Sequence, residues 1–527
     1  MPANAPDNEL SQPQTRHKTA QWRPLTQLDR WVLAGLVVII VASAVPRLPP
    51  GICFDDAGEL QLASTVGGPM HPPGYGGYVL AGRLLTRIPL FDPAFRVTLA
   101  TMASAVTALT LLAALLTRLG LPSLIAGAFA LALTWQPRVW QNLVTPEVYA
   151  PSWALLAACI YFAGRYGHTA ARRDLIISGL AYGLLASNRT AAALYLPFAL
   201  AAWILAVPRQ PPRRRLMAGG LGALAMIPSC FLTLGYLWVA DRPDAPYNYL
   251  EQFNAETHAL PHAQDGIGAK ATRVAWLVSG RQYSDSLRID TKTAARQLRR
   301  LSNQIGDTRV AIPWPVERVV DLVIVAAVLL GLLFIVGSLR LWRTQAAVMV
   351  LAWGALIGGS FFVLCYDVSD QAADILPILM GGSILLGSAL AVLLRDRIVG
   401  GWRLASGIVA VALSVLSLVS VPARPYSAAT QRADGFARQL DLASLPPKAV
   451  LCTTWVQAPP LWYEKWVHKR SDVTIVNAFR SRWAELIADR LHQPVYCMEP
   501  ASPPDGWTLA PYRNVWRLVP QQRIPAD

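Results

Sequence analysis

Three carboxylates and a histidine stand close together early in the chain, in Phe54-Asp55-Asp56-Ala57-Gly58-Glu59 and Met70-His71-Pro72-Pro73-Gly74-Tyr75. A carboxylate beside a reacting hydroxyl can take its proton, and a histidine can orient it or carry charge. Asp56 and Glu59 are the candidate catalytic residues, with Asp55 as the alternative to Asp56. His71 and Tyr75, stiffened by Pro and Gly, are candidate substrate contacts. A second reading makes Asp56 the cap of a helix that starts near Ala57, with Glu59 stabilising its first turn. Both readings stand on the residues alone.

Further polar groups recur downstream, in Glu147-Val148-Tyr149, Asn188-Arg189-Thr190, Ser279-Gly280-Arg281-Gln282-Tyr283 and Tyr366-Asp367-Val368-Ser369-Asp370. A guanidinium grips a phosphate with two hydrogen bonds, so Arg189 and Arg281 are candidates for holding an anionic substrate. Either could instead pair with Glu147, Asp367 or Asp370 in a structural network. Two carboxylates three residues apart can bind a divalent ion, but no full ligand set accompanies Asp367 and Asp370, and no metal is expected.

These groups must be held by a membrane protein. Of 527 residues 54% are hydrophobic and 15% charged, and the mean hydropathy is +0.35. Apolar runs of roughly 17–24 residues, each able to cross the hydrocarbon core, recur from residue 31 to 421. The expected spans lie near 31–45, 95–117, 121–135, 148–164, 175–187, 191–207, 216–240, 319–339, 346–364, 375–394 and 404–421, about eleven in all. The net charge of +15 reflects basic short loops between spans, which record topology and call for no nucleic acid.

The positive-inside rule puts a 1–30 tail, read as an uncleaved signal anchor, in the cytoplasm. The acidic groups then gather on the other face, in a first external loop (46–94), a large one (241–316) and the outer ends of the spans. Residues 77–89 suit an interfacial helix. Residues 291–305 suit a basic amphipathic one, with Ala294, Leu298, Leu301 and Ile305 on its apolar stripe. Residues 422–527 read as a small external α/β domain of parallel character, with strands near 449–453, 473–476 and 495–498. Cys452 and Cys497 share it and could pair in an oxidising compartment.

Taken in order, Asp56-Ala57-Gly58-Glu59, His71-Pro72-Pro73-Gly74-Tyr75, Glu147-Val148-Tyr149, Asn188-Arg189 and Tyr366-Asp367-Val368-Ser369-Asp370 resemble the protein O-mannosyltransferase-like membrane family. Its pattern is D-S-G-E, H-P-P-G-Y-P, A-E-V-Y, N-H or N-R, and Y-D-x-x-D. The architecture is similar to the GT-C class of lipid-dependent glycosyltransferases. Ala57 replaces the usual serine, Gly76 the proline after Tyr75, and Arg189 a frequent histidine.

The resemblance implies transfer of a sugar from a polyprenyl-phosphate donor, with inversion, to a protein Ser/Thr hydroxyl or an envelope glycan. Asp56 would be the base, and His71, Tyr75, Glu147, Tyr149, Asn188, Arg189, Arg281, Asp367 and Asp370 would line the substrate site. It implies a bacterial inner-membrane protein whose C-terminal domain is periplasmic, partnered by membrane lipid, a lipid-linked sugar and a protein or glycan acceptor. The lipid-linked sugar is a substrate, and no other cofactor is expected. A flippase for a lipid-linked glycan would also have basic interfaces, but should show repeated halves or charges inside spans. A non-catalytic scaffold is the remaining alternative.

Overall fold

The computed structural model describes residues 22–207, 210–306, 316–367, 375–394, 432–468, 472–478, 482–500 and 502–521. Its membrane part is a helical bundle: α1 (Gln27–Ala44), α2 (Asp55–Val66), α3 (Gly76–Leu85), α4 (Pro93–Arg118), α5 (Ser123–Thr134), α6 (Pro137–Val144), α7 (Tyr149–Thr169), α8 (Arg172–Asn188), α9 (Leu196–Leu205) and α10 (Pro212–Ala240). After the segment holding α11 (Tyr249–Thr257), α12 (Ile267–Ser279) and α13 (Thr291–Gly306) come α14 (Val316–Thr344), α15 (Ala346–Cys365) and α16 (Ile375–Leu393).

Local chemistry sets the helix starts. Thr26 and Asp29 close a capping box on α1, and Arg23 pairs with Asp29 at 3.0 Å. Asp92 caps α4 through the Ala94 N–H at 2.8 Å, with Pro93 in the first turn. The bundle core is built mainly of Ala, Leu and aromatic side chains from α1, α4, α7, α8, α15 and α16. Small residues let α8 meet α10 closely: a Cβ on Gly179 would lie 2.4 Å from the Gly222 carbonyl oxygen.

Among the described residues six helices are long and apolar enough to cross a membrane, or seven if α6 and α7, bent by 105°, form one broken span. That is fewer than the apolar runs suggested. The runs at 121–135, 175–187 and 191–207 become the 12-residue α5, the 17-residue α8 and a 3-10 turn leading into α9. Much of each is covered by neighbouring helices, and a covered helix need not match the bilayer. The run at 404–421 lies outside the described residues.

α2 is the helix everything else surrounds. Every residue from Ala57 to Ser64 is buried. Gln61 accepts from the Cys53 N–H at 2.7 Å and donates to Gly51, Ala94 and Thr98, tying the entry loop to the start of α4. α3, expected as an interfacial helix, buries Tyr78, Val79 and Gly82, and the chain after it exposes Ile88, Leu90 and Phe91.

The segment after α10 is pinned by Arg273, which is fully buried. It grips Asp241 through both oxygens at 2.8 Å, Glu251 at 2.7 Å and the Pro261 carbonyl at 3.0 Å. α13 departs from its apolar pattern: Thr293 and Gln297 are buried while Leu298 is 56% exposed. Polar groups set its rotation, because Arg296, Arg300 and Gln297 all reach the Asp367 carboxylate.

The C-terminal domain contains α17 (Arg432–Leu440), α18 (Ala458–Trp466) and α19 (Trp483–Ala488) around a five-stranded sheet ordered β2-β1-β3-β5-β4. β1 (Val450–Thr453) is parallel to β2 (Thr474–Asn477) and β3 (Val495–Cys497), as expected. An antiparallel hairpin of β4 (Trp507–Tyr512) and β5 (Val515–Pro520) makes the sheet mixed. Its turn, Arg513-Asn514, lacks the Asn-Gly or Asp-Gly signal, and Pro511 weakens the strand pattern. Cys452 and Cys497 face each other in register with free, buried thiols.

This domain docks directly on α2. The Asp55 N–H donates to the Val456 carbonyl at 3.0 Å, the Tyr463 hydroxyl donates to Asp92 at 2.9 Å, and Phe54 packs on Phe436 at 5.4 Å. A Cβ on Gly58 would lie 2.1 Å from the Cys53 carbonyl oxygen and 2.9 Å from the Pro459 Cβ. Gly58→Ala should therefore destabilise the protein by about 1–3 kcal/mol, read as a lowered melting temperature. A variant that melts like the wild type would mean that neither the Cys53 carbonyl nor α18 packs this closely on α2.

Candidate active site

Asp56 sits in the first turn of α2 and is not its cap; that position falls to Phe54, which makes no side-chain capping bond. The Asp56 side chain is 46% exposed, open enough to meet a ligand. Its Oδ1 accepts from the Trp455 Nε1–H at 2.7 Å, and its Oδ2 lies 3.7 Å from His71 Nε2. Asp55 holds a left-handed backbone, φ 60°, which aspartate tolerates better than most residues. Its carboxyl reaches solvent but is crowded by protein. That desolvation, with the Asp56 charge beside it, lifts its pKa from 3.8 to about 6.

Glu59 lies one helical turn on and is fully buried. Its carboxylate accepts from the His71 backbone N–H at 2.9 Å, from His71 Nδ1 and from the Tyr247 hydroxyl. It therefore faces His71 and Tyr247, away from the opening. Burial opposes a charge on His71, but Glu59 and then Asp56 outweigh it, raising the pKa from 6.5 to about 10. The imidazolium is thus the resident cation between two carboxylates.

Aromatic rings wall the opening. His71 meets Tyr75 at 5.4 Å, Trp455 at 6.0 Å and Tyr249 at 6.2 Å, each edge to face. Burial drives the Tyr75 and Tyr283 phenols well above 10. Arg189 partly offsets this at Tyr75, while the Asp56 and Glu59 charges add to it at both phenols. Glu147 acts on both His71 and Tyr75, so it belongs to the same cluster.

Next to this opening Arg189, at the end of α8, lies 4.6 Å over the Tyr149 ring at the start of α7. The two line a small, partly open cleft with Ser152, Trp153, Tyr195 and Pro377. A planar cation held against a ring in a mainly apolar cleft suits the phosphate of a lipid.

Three other expected contacts are placed differently. Asn188 spends its amide on the backbone, accepting from the Tyr78 N–H at 3.1 Å and donating to Leu184 at 2.6 Å, which ties α3 to α8. Arg281 is exposed in the 3-10 turn Arg281–Ser286, whose neighbours Gln282 and Tyr283 face the site. Asp367 is occupied by Arg296 and Arg300, and Asp370 lies outside the described residues.

Asp56, Glu59 and His71 bring ligand-type atoms within 4.8 Å of one another, the one such trio among the described residues. Glu59 and His71 Nδ1 are already bound to each other. Only Asp56 Oδ2 and His71 Nε2 could be turned to a metal, which is an incomplete set.

Sequence reading missed Tyr247, Tyr249, Tyr283 and Trp455. Only Trp455 carried a signal. It follows a strand of the C-terminal domain by two residues, and ligands of α/β sheets collect beyond the carboxyl ends of strands.

Residues 56–211 match the family described as Protein O-mannosyl-transferase TMEM260 N-terminal domain. No curated protein matches significantly. One similar solved structure is the S. cerevisiae protein O-mannosyltransferase Pmt1-Pmt2 complex bound to the sugar donor. It is 14% identical with a TM-score of 0.36, over 46% of this chain and 38% of that one, so this chain spans well under half its length. Another is ArnT from Cupriavidus metallidurans bound to undecaprenyl phosphate, 13% identical with a TM-score of 0.49, over 94% of this chain and 98% of that one. The segment that carries Asp56, Glu59, His71, Glu147 and Arg189 is thus similar to the TMEM260 protein O-mannosyl-transferase N-terminal domain, in line with the family its motifs resemble.

Proposed function

We propose that this chain is a GT-C-type glycosyltransferase that moves a sugar from a polyprenyl-phosphate to an acceptor hydroxyl. The observation that carries the reading is the half-open Asp56 carboxylate, held by Trp455 beside a cleft floored by Arg189 and Tyr149. The acceptor oxygen attacks the anomeric carbon as Asp56 takes its proton. The bond from that carbon to the phosphate oxygen breaks, and the polyprenyl phosphate leaves with the electron pair. One displacement inverts the anomeric centre, and the good leaving group needs no acid.

Arg189 holds the leaving phosphate, and the Tyr149 ring keeps its guanidinium plane in place. Glu59 acts through His71 as a positioning residue. The positive-inside pattern supports a cytoplasmic N-terminus and an outward-facing mouth in a bacterial-type inner membrane, with a periplasmic protein or envelope glycan as acceptor.

The test is transfer of labelled sugar from a polyprenyl-phosphate hexose offered to right-side-out vesicles, with Arg189 variants beside the wild type. Transfer from the outer face is expected. Arg189→Ala should weaken donor binding by about 10–100-fold, the loss of one charge-assisted grip. Arg189→Lys should recover part, since it keeps the charge without the planar fork. Movement of lipid-linked sugar across the vesicle with no transfer would replace the transferase with a flippase. Unchanged donor binding in Arg189→Ala would remove the phosphate role from this cleft.

A further inference from the structure

We propose that Trp455 is a positioning residue and that the C-terminal domain completes the active site by lending it one hydrogen bond. The inference rests on the transferase reading above. Asp56 is the half-exposed acid of the cluster, and Glu59 is sealed away. A carboxylate at an open mouth can rotate between rotamers, and a base that rotates loses the alignment its reaction needs. The indole N–H of Trp455, 2.7 Å from Oδ1, fixes that rotation and leaves Oδ2 to meet the acceptor.

Trp455 is itself held. Its ring packs edge to face on His71 at 6.0 Å and on Tyr249 at 5.8 Å, and on Trp462 of its own domain at 6.4 Å. The next residue, Val456, accepts the Asp55 N–H at 3.0 Å, so two consecutive residues of one turn clasp two consecutive acids of α2. That turn follows β1, the strand flanked by both parallel neighbours, at its carboxyl end. The domain therefore presents to Asp56 the edge of its sheet that suits a functional contact.

The experiment uses the full chain. Trp455→Phe keeps a ring but removes the donor. It should lower turnover about 10-fold with little change in KM, because Asp56 loses its alignment while the substrate contacts stay in place. Trp455→Gln, which can donate again, should recover part of the turnover. A role in packing alone would leave Trp455→Gln, which lacks the ring, worse than Trp455→Phe, and that order would overturn the proposal.

The infrared carboxylate stretch of Asp56, identified by its absence in Asp56→Asn, should shift in frequency in Trp455→Phe and so reads the hydrogen bond without turnover. A wild type that transfers nothing yet shows the Trp455→Phe shift would keep the hydrogen bond and end the transferase reading. Should Trp455→Phe fold poorly, resonance Raman of the indole N–H in wild type against Asp56→Ala, which has no acceptor, decides. One indole should lose its bond in Asp56→Ala; no change would overturn the proposal.

Discussion

Asp56→Asn is expected to cut sugar transfer by about 10²–10⁴-fold, the range for loss of a general base, while donor binding and folding survive. Asparagine keeps the shape and can still accept from the Trp455 N–H through its oxygen, so the site stays assembled. What disappears is the ability to take the acceptor's proton. The loss should fall on kcat and be the same with every acceptor. Asp55→Asn should be much milder, because Asp55 lies at the solvent side of the turn and its N–H, not its side chain, is what binds Val456. An Asp56→Asn enzyme that turns over normally would take this carboxylate out of the mechanism, and Asp55, whose pKa of about 6 suits a base, would be next.

Glu59→Gln should cost about 3–5 kcal/mol of stability, the penalty for breaking a buried ion pair from one side. Glu59 is sealed among the His71 ring and backbone and the Tyr247 hydroxyl, and Gln would leave the imidazolium without its counter-ion. The pair also makes stability depend on pH. Because folding raises the His71 pKa from 6.5 to about 10, its contribution is full below pH 6.5 and is lost as pH climbs through 10. Thermal unfolding of wild type, Glu59→Gln and His71→Gln in detergent checks both points, the last against wild type across pH. The gap between them should narrow steadily over that window, and a gap that stays constant would mean that His71 is neutral in the folded protein.

The order and chemistry of the motifs carried most of the site. Asp56, His71, Tyr75, Glu147, Tyr149 and Arg189 come from four separated stretches and meet around one mouth, because each stretch ends or begins a helix on the same side of the bundle. Sequence did not tell a base from a buried partner. Asp56 and Glu59 are both acids three residues apart, and only the structure shows that Asp56 stays half-exposed at the open end of α2 while Glu59 is sealed in the buried stretch that follows. Tyr247, contributed by packing between distant segments, had no spacing to betray it. The rotation of α13 was misjudged for a similar reason: hydrophobic periodicity assumes that apolar residues face protein, whereas in a membrane protein they can face lipid. Apolar length alone does not separate a crossing helix from a short one inside the bundle, and six or seven helices among the described residues have the length and apolarity of a span.

The bond from Tyr247 to Glu59 joins residues 188 apart in the chain, and that from Trp455 to Asp56 joins residues 399 apart. At ordinary rates of synthesis, about 5–20 residues per second, the first partner follows its acid by roughly 10–40 s and the second by roughly 20–80 s. Through that interval Glu59 and Asp56 lack these partners. The cluster is complete only when the C-terminal domain has been made and has settled on α2. A chain cut before Trp455 therefore carries the acids without the bond that orients Asp56.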